Sequence, residues 1–331
     1  MLKMKIAKMK NPYPIKFSPV LKEKIWGGEK LKNVLHKNCF SNNVGESWEL
    51  SGVNGDISVV SNGALKGTLL KNLIEDFKED LVGSAVYKKF GNTFPLLFKF
   101  IDANDDLSIQ LHPNDELAQK RHNSFGKTEM WYVVDADKQS KLYVGFDKQY
   151  TKDQYLSKFN NGEILEMVND VEVAKGDVFF IETGTVHAIG KGVLIAEIQQ
   201  TSDLTYRIFD WNRTDDNGIS RELHTDLALD AFDFSKTQIE KISYQNKSNQ
   251  AENLVTCEYF TTNKLNIKGN FKKELSKCDS FVVYMCVEGS GSITIGTNIT
   301  EFVKGETILI PAIVNEVEIK GSAELLEVYI D

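Results

Sequence analysis

The chain has 331 residues, enough for two domains or one long β domain, and 41% of them are hydrophobic. No segment approaches the roughly 20 apolar residues of a membrane-spanning helix, and the basic N-terminal segment lacks the apolar stretch of a signal peptide. The formal net charge of -8 argues against general binding to nucleic acid or anionic membranes. The four cysteines show no metal-type spacing, so we expect a cytoplasmic protein with reduced thiols.

Short β-strands are predicted for most of the chain, because apolar and polar residues alternate between turns rich in glycine and asparagine. Helical patterns are fewer. An amphipathic helix is predicted over 69–81, a capping box formed by Thr151 and Gln154 predicts a second helix, and a third is expected over 221–231. This balance favours a mainly β barrel or sandwich with short helical insertions. The clearest strand patterns lie at 56–61, 107–112, 130–135, 178–182, 281–288 and 301–310.

An internal repeat relates the segments 175–199 and 304–329. Each segment runs from Lys-Gly-acid through an apolar strand and a turn into a second strand. When Gly176 is aligned with Gly305, His187 falls opposite Glu316, so a histidine suited to metal binding is present only in the first copy. The repeat indicates a duplicated β unit.

The polar segment 236–253 is the predicted connector between the two units. We therefore expect a metal-binding catalytic half over residues 1–240, with a helical insert at about 64–90, and a metal-free half over residues 241–331.

Three predicted strands carry polar side chains that suit metal chemistry. Strand alternation places Lys127 and Glu129 on one face, while His187 follows a glycine turn that resembles the second cupin motif, with Glu182 in place of its proline. Lys99 lies among apolar neighbours and needs a partner or an open cavity. On the strand at 107–112, one face carries Ser108, Gln110 and His112.

A candidate metal site emerges from two imidazoles, one carboxylate and one amide oxygen. This set suits Zn²⁺ with one coordination position left open, and its ligand types also permit Fe²⁺. The remaining histidines His36, His122 and His224 have no comparable context, and we predict surface or structural roles for them. The four predicted ligands are Gln110, His112, Glu129 and His187.

Several separated motifs resemble class I mannose-6-phosphate isomerase in its short bacterial form, a family of the cupin superfamily. The resemblance covers most of 14–213 and implies a double cupin whose C-terminal third is a decayed second copy. The motifs are IWGG at 25–28, GESWELS at 45–51, IQLHPND at 109–115, KTEMWYVV at 127–134, TGTVHAIG at 183–190 and EIQQTSDLTYRIFDWNR at 197–213.

The resemblance implies one Zn²⁺ per chain and a reaction that interconverts mannose 6-phosphate and fructose 6-phosphate through an enediol. A small phosphorylated sugar is therefore the expected partner. The base is left open among a water on the metal, Glu197 and Lys127. By the same resemblance, the zinc ligands are Gln110, His112, Glu129 and His187, the catalytic residues are Arg207, Lys127 and Glu197, and the substrate-binding residues are Ser108 and Lys99.

The sequence departs from the longer family members at one position, and it leaves alternatives open for the contacts of one residue and for the function. Ile189 stands where the longer enzymes carry a tyrosine, and Arg207 could instead form a rim ion pair with Asp203 or Asp210. An Fe-dependent cupin oxygenase would use the same histidines and carboxylate, although Gln110 argues against it. A non-catalytic cupin that binds sugar phosphates is the other alternative.

Overall fold

The computed structural model describes residues 8–215, 217–235 and 239–331. Within these residues the protein is mainly β, and its helices are short insertions between strands. The longest helix has nine residues, and no described helix is long and apolar enough to cross a membrane. The α-helices are α1 (Lys30–Asn33), α2 (Leu70–Phe77), α3 (Glu79–Val82), α4 (Ser84–Phe90), α5 (Asp115–His122), α6 (Lys152–Asn160) and α7 (Thr225–Leu229), and a 3-10 turn covers Ile164–Glu166.

The first half of the chain forms two antiparallel sheets that pack face to face. Side chains from both sheets, including Trp131 and Val144, share one buried core. The six-stranded sheet has the order β10-β7-β12-β5-β3-β2 and the five-stranded sheet the order β13-β6-β11-β8-β9. The strands are β2 (Val20–Gly28), β3 (Val44–Leu50), β5 (Leu96–Ala103), β6 (Ile109–Leu111), β7 (Glu129–Ala136), β8 (Lys141–Phe146), β9 (Val168–Glu172), β10 (Val178–Ile181), β11 (His187–Ile189), β12 (Val193–Gln200) and β13 (Tyr206–Phe209).

The second half of the chain forms an eight-stranded sheet around a core of its own. Ile267, Ile293 and Ile319 come from its three longest strands and lie together in that core. The order is β14-β15-β19-β16-β18-β1-β4, with β17 paired to β16. The strands are β1 (Ile15–Ser18), β4 (Val59–Val60), β14 (Ala251–Thr256), β15 (Thr261–Glu274), β16 (Val282–Ile295), β17 (Asn298–Val303), β18 (Thr307–Ile310) and β19 (Glu316–Tyr329).

Strand β1 interlocks the two halves, because it comes from the N-terminal end of the chain but pairs in the second sheet. Ile15 lies opposite Leu309 of β18, and the other edge of β1 pairs with β4. A further hydrophobic core fills the space between the halves, where Phe98 and Met130 lie in one cluster with Val283. The division at residues 240 and 241 stays a prediction.

The internal repeat is reproduced in the strand positions. Strand β10 begins two residues after Gly176, and β18 begins two residues after Gly305. Both glycines turn the chain with positive φ angles, 93° and 89°, which a side chain would disfavour. Strands β11 and β19 begin at His187 and Glu316, the two residues that the sequence alignment pairs.

Differences from the predicted elements occur where the backbone turns. Lys78 adopts a φ of 48° and divides the predicted helix over 69–81 into α2 and α3. Gly305 separates β17 from β18, so the predicted strand over 301–310 is wrong as a continuous element. The helix predicted over 221–231 is limited to α7, and the residues before it lie against β13, where the His224 N–H donates to the Arg207 carbonyl oxygen.

Local hydrogen bonds explain the outcome of two further predictions, the capping box at 151–154 and the strand over 56–61. The capping box of Thr151 and Gln154 is confirmed at the start of α6. The strand predicted over 56–61 is reduced to β4, because the chain turns at 53–56 and the Ser58 backbone and hydroxyl bond to Ser51 in place of a strand ladder.

Candidate active site

A cavity of about 350 Å³ lies between the two sheets of the first half. Strands β2, β3, β5, β7 and β12 form one wall, and β6, β11 and β13 contribute the other. The lining of the cavity is strongly polar, and it contains six basic side chains against three carboxylates. The basic residues are Lys22, Lys24, Lys99, Lys127, Arg207 and Arg221, and the acidic residues are Glu46, Glu197 and Asp203.

Three of the four predicted metal ligands meet beside this cavity. His112 follows the last residue of β6, Glu129 begins β7, and His187 begins β11. One ligand atom from each side chain lies within 4.8 Å of the other two, and all three side chains are buried. The cluster forms because strand pairing brings the ends of β6 and β11 together, with Gln110 directly opposite His187.

The hydrogen bonds of the two histidines fix their tautomers. His112 Nδ1 lies 2.7 Å from the carbonyl oxygen of Leu204, and His187 Nδ1 lies 2.9 Å from that of Thr185. A carbonyl oxygen only accepts hydrogen bonds, so each Nδ1 carries the proton and each neutral ring presents an Nε2 lone pair. The two Nε2 atoms face each other at 3.1 Å.

Lys127 Nζ lies 3.1 Å from His112 Nε2 and can donate to it. His187 Nε2, in contrast, faces the other lone pair at 3.1 Å and Glu129 Oε1 at 3.5 Å, so a further positive charge would stabilise the arrangement. Burial, followed by repulsion from Lys127, lowers the pKa of both imidazoles, that of His187 to about 3, so protonated histidine does not provide the charge. A divalent metal ion would satisfy both nitrogens, and backbone carbonyls behind Nδ1 are the usual orienting partners of metal-binding histidines. The donor set therefore fits a metal ion.

Glu129 gives a second indication of a metal ion. Its Oε2 contacts Lys127, whereas its buried Oε1 has no hydrogen-bond partner. Oε1 lies 3.5 Å from His187 Nε2, on the side of the two imidazoles. Burial and then repulsion from Glu197 raise the pKa of Glu129 to about 7. A cation near Oε1 would offset both effects and favour the ionised carboxylate.

Gln110 lies next to this triad on the same sheet. Its Oε1 accepts a hydrogen bond of 3.1 Å from Ser108 Oγ, and both residues line the cavity. Ser108 also accepts a hydrogen bond of 3.3 Å from Arg207 Nε. Ser108 and Gln110 therefore line the cavity together from the strand face predicted to carry them, while ligation by Gln110 stays a prediction.

A buried group of two lysines and one glutamate, Lys99, Lys127 and Glu197, lies beside Glu129 of the triad. Lys99 Nζ donates a hydrogen bond of 2.9 Å to Glu197, and Trp131 Nε1 donates one of 3.0 Å to its other carboxylate oxygen. Burial raises the pKa of Glu197, but Lys127 and Lys99 outweigh this and hold it at about 2. Burial lowers the pKa of Lys99, yet Glu197 and then Glu46 leave it raised. Glu197 is therefore an ionised carboxylate with both oxygens occupied.

The second half contains the same carboxylate arrangement without the metal-type triad. Across β5, β12 and β7, Lys99, Glu197 and Trp131 lie in one row. The row across β15, β19 and β16 is formed by Asn263, Glu327 and Tyr284. Asn263 Nδ2 donates to Glu327 at 2.9 Å and the Tyr284 hydroxyl at 3.0 Å.

The positions of two triad members differ in this second copy. Strand register places Val282 where the first half has Glu129, and Glu316 where it has His187. A buried carboxylate between two polar side chains is thus present in both halves of the chain, whereas the triad is present only in the first half.

Arg207 is a half-buried cation at the wall formed by β13. It donates to Ser108 Oγ and, over 2.8 Å, to the carbonyl oxygen of Glu222. No carboxylate of the described chain forms an ion pair with it. The alternative pairing with Asp210 is absent because Arg213 and Arg221 occupy that carboxylate. Burial and then repulsion from Arg221 lower the pKa of Arg207.

The sequence predictions do not assign several residues that line the cavity, although the motifs at 25–28 and 45–51 contain three of them. They lie on β2, on β3 and in the loop before α7, far apart in sequence. The first two groups alternate at every second position, which is a detectable sign that they share one face. These residues are Lys22, Lys24, Trp26, Glu46, Trp48 and Arg221.

The other histidines lie outside the triad. His122 Nε2 contacts the Tyr206 hydroxyl at 2.8 Å, and His224 Nδ1 accepts a hydrogen bond from the Arg207 backbone N–H. These contacts agree with the predicted structural roles. Ile189 lines the cavity, so its wall is apolar at the position of the missing tyrosine.

Two related β units, the first with a buried His–Glu–His cluster beside a basic cavity, define a double cupin with a metal-type site. A family model described as phosphomannose isomerase type I, catalytic domain, matches residues 15–154. A second, described as mannose-6-phosphate isomerase, cupin domain, matches residues 250–330. The chain belongs to the type I, or class I, mannose-6-phosphate isomerase family, which confirms the predicted family and fold class.

Individual relatives match along almost the whole chain. A Bacillus subtilis protein named mannose-6-phosphate isomerase ManA is 37% identical, and the match covers 95% of this chain and 98% of that protein. A Streptococcus mutans protein named mannose-6-phosphate isomerase is 32% identical over 95% of this chain and 97% of its own length. The crystal structure of a Bacillus subtilis mannose 6-phosphate isomerase superposes with a TM-score of 0.87 at 32% identity, over 96% of this chain and 100% of that one.

The facing lone pairs predict that chelator-treated protein gains stability from a divalent transition metal. At a metal concentration about 100 times the dissociation constant, the free energy of unfolding should rise by about 2.7 kcal/mol. His187→Ala should abolish this gain, whereas His122→Ala should keep it, because His122 lies outside the triad. Thermal unfolding with and without Zn²⁺ measures the effect, and an equal gain in His187→Ala would show that the metal binds elsewhere.

Proposed function

We propose that this protein is a metal-dependent aldose–ketose isomerase that interconverts mannose 6-phosphate and fructose 6-phosphate. The main support is the cavity, which joins a metal-type triad to six basic side chains in a chain of net charge -8. Such a local excess of cations suits a phosphorylated substrate. The names of the relatives from Bacillus subtilis and Streptococcus mutans indicate which sugar phosphate it is.

We propose one Zn²⁺ per chain, held by His112, Glu129 and His187, with the amide oxygen of Gln110 as the fourth protein ligand. The carbonyl groups of Leu204 and Thr185 keep both imidazoles in the required tautomer. When bound, the metal would act as a Lewis acid for the sugar oxygen that becomes negative as a neighbouring carbon loses its proton to form the enediol.

Arg207 supplies positive charge at the β13 side of the cavity. Its guanidinium has no carboxylate partner among the described residues, and its contacts to Ser108 and to the Glu222 carbonyl direct it along the cavity wall. An arginine keeps its proton under ordinary conditions, so it is suited to binding phosphate or a developing oxyanion. Ser108 would contribute a hydroxyl to the same anion.

Glu197 and Lys99 hold the strands of the site in place and do not transfer the proton; we call this buried pair the frame of the site. Both Glu197 oxygens already accept hydrogen bonds, and the equivalent Glu327 is held the same way in a sheet that lacks the triad. An interaction that both halves share is suited to holding strands and neighbouring side chains in place. In the first half, this frame positions Lys127, whose Nζ lies 3.8 Å from Glu197.

Lys127 is the side chain best placed to move the proton. Its Nζ lies 3.1 Å from His112 Nε2 and contacts Glu129, and both partners are proposed metal ligands. A lysine in its neutral amine form can take a proton from one carbon at Nζ and, as the ammonium ion that results, release it to the neighbouring carbon. We therefore infer that Lys127 carries the proton between the two sugar carbons, with Glu197 as its positioning residue.

A coupled assay for fructose 6-phosphate formed from mannose 6-phosphate tests the proposed function. Purified protein should turn over this substrate, lose activity on treatment with chelator, and recover it with Zn²⁺. Absence of turnover in protein that contains stoichiometric zinc would contradict the function and leave the non-catalytic sugar-phosphate-binding cupin. Oxygen consumption by iron-loaded protein would favour the oxygenase alternative.

Arg207→Met should lower kcat/KM by about 100-fold, because it removes the cation that faces the anionic substrate or transition state. Arg207→Lys should retain part of the activity, since it keeps the charge but loses the planar geometry. Arg121→Met is the control, because Arg121 is paired with Asp230 outside the cavity. Steady-state kinetics measure the effect, and full activity of Arg207→Met would remove Arg207 from the mechanism.

Glu197→Gln and Glu327→Gln should both reduce the free energy of unfolding, each by about 3 kcal/mol, because each leaves a lysine without its buried carboxylate. Urea unfolding measures both variants. If Glu197 were instead the base, Glu197→Gln would lose turnover while keeping normal stability. That result would contradict its role in the frame.

A further inference from the structure

The backbone of Lys127 lies just outside the strands of the site. Helix α5 ends at His122 and strand β7 begins at Glu129, so Lys127 belongs to the irregular segment between them. Its side chain is nevertheless buried, and Nζ lies 3.1 Å from His112 Nε2. A shift of about 1 Å in a group that transfers a proton can cost a large part of the rate. Contacts other than those of a strand must therefore fix Lys127.

Two linked side chains hold the peptide groups on either side of Lys127. The Gly126 N–H donates a hydrogen bond of 2.7 Å to Asp115 Oδ1. On the other side, the Thr128 N–H donates one of 2.8 Å to Gln200 Oε1. Gln200 Nε2 also donates to Asp115 Oδ1, over 3.0 Å. Lys127 is thus the middle residue of a segment that one pair of side chains holds at both ends.

Gly126 allows this segment to pack directly on the chain that follows His112. A Cβ atom at residue 126 would lie 2.8 Å from the Asp115 backbone nitrogen and 3.0 Å from the Pro113 carbonyl oxygen. These contacts leave no space for a side chain without a shift of the backbone. The segment of Lys127 and the segment of His112 are therefore in direct contact, which brings Lys127 Nζ to the imidazole.

The second half of the chain supplies the third member of this arrangement. Tyr259 lies between β14 and β15 and packs against the core between the halves. Its hydroxyl donates a hydrogen bond of 2.9 Å to Asp115 Oδ2. Burial, followed by the contact with Asp115, raises the pKa of Tyr259, so the hydroxyl keeps its proton. Both oxygens of Asp115 are then occupied, one by donors of the first half and the other by a donor of the second.

We propose that Asp115, Gln200 and Tyr259 are positioning residues for Lys127, through which the second half of the chain contributes to proton transfer. None of these three lines the cavity, so they act on the substrate only through Lys127. The inference rests on the proposed function, because it takes Lys127 as the group that carries the proton. A half that lacks the triad thereby takes part in the reaction.

Tyr259→Phe removes the hydroxyl alone and should lower kcat about tenfold, because Lys127 is then held less firmly. KM and zinc content should stay within about twofold of the unmodified protein, since the cavity wall and the triad are unchanged. Tyr244→Phe is the matched control, because this hydroxyl also joins the two halves but donates to the carbonyl oxygen of Gly176, outside the cavity lining. It should keep the kcat of the unmodified protein, and steady-state kinetics with a zinc determination measure both variants.

Asp115→Ala and Asp115→Asn test the hydrogen bonds directly. Asp115→Ala should lower kcat about 100-fold. Asp115→Asn should retain most of the activity, because its amide oxygen still accepts from Gly126 and Gln200 while its NH₂ group donates to the Tyr259 hydroxyl. Equal losses in the two variants would overturn the inference, since the three hydrogen bonds would then not account for them.

Amide hydrogen exchange is a second measurement, and it needs no turnover. The Gly126 and Thr128 amides should exchange about tenfold faster in Tyr259→Phe than in Tyr244→Phe, because the hydrogen bonds that protect them are weakened. Native-state exchange followed by NMR measures both amides.

The kinetic and exchange measurements together separate this inference from the proposed function. In a protein that isomerises mannose 6-phosphate, a fall in kcat with faster exchange supports the positioning role, and either change without the other overturns it. If Lys127→Met is inactive while Tyr259→Phe keeps full activity, the function stands and the positioning role fails. If the unmodified protein has no turnover, the proposed function fails, and the exchange rates alone decide whether the three residues hold Lys127.

Discussion

Two imidazole nitrogens that face each other at 3.1 Å impose the main constraint on this site. Both rings donate their only proton to backbone carbonyls, so neither nitrogen can donate to the other. Glu129 directs an oxygen without a partner toward the same place. A metal ion between these three groups would convert repulsion among lone pairs into coordination. The loop carbonyls and the paired strands hold the site in this arrangement.

The charged residues around the triad depend on one another. Lys99, Lys127, Glu129 and Glu197 are all buried and contact one another as acid–base pairs, so removal of one leaves another without its partner. The second half shows which part of this arrangement is independent of metal chemistry. Glu327 is held by an aromatic hydroxyl and an amide at the same strand register, although Val282 and Glu316 occupy two of the triad positions. The buried carboxylate therefore occurs in both copies of the duplicated unit, whereas the metal-type group occurs only in the first copy.

Local patterns predicted much of the fold and part of the site. The alternation of β6 placed Ser108 and Gln110 on the cavity wall, and the repeat predicted that His187 has no histidine counterpart. Other features depend on contacts between distant segments. The carbonyl of Leu204 becomes a partner of His112 only when β13, which follows Leu204, pairs with β6. The turn at Lys78 has no sequence signal, because lysine rarely adopts a positive φ.

A crystal structure of the zinc-loaded protein, with anomalous diffraction recorded at the zinc absorption edge, tests the central claim most directly. The account predicts one strong anomalous peak about 2.0–2.2 Å from His112 Nε2, His187 Nε2 and a Glu129 oxygen. The two imidazoles should still donate to the carbonyls of Leu204 and Thr185. A peak bound to other residues, or none near these three side chains, would contradict the assignment of the metal site.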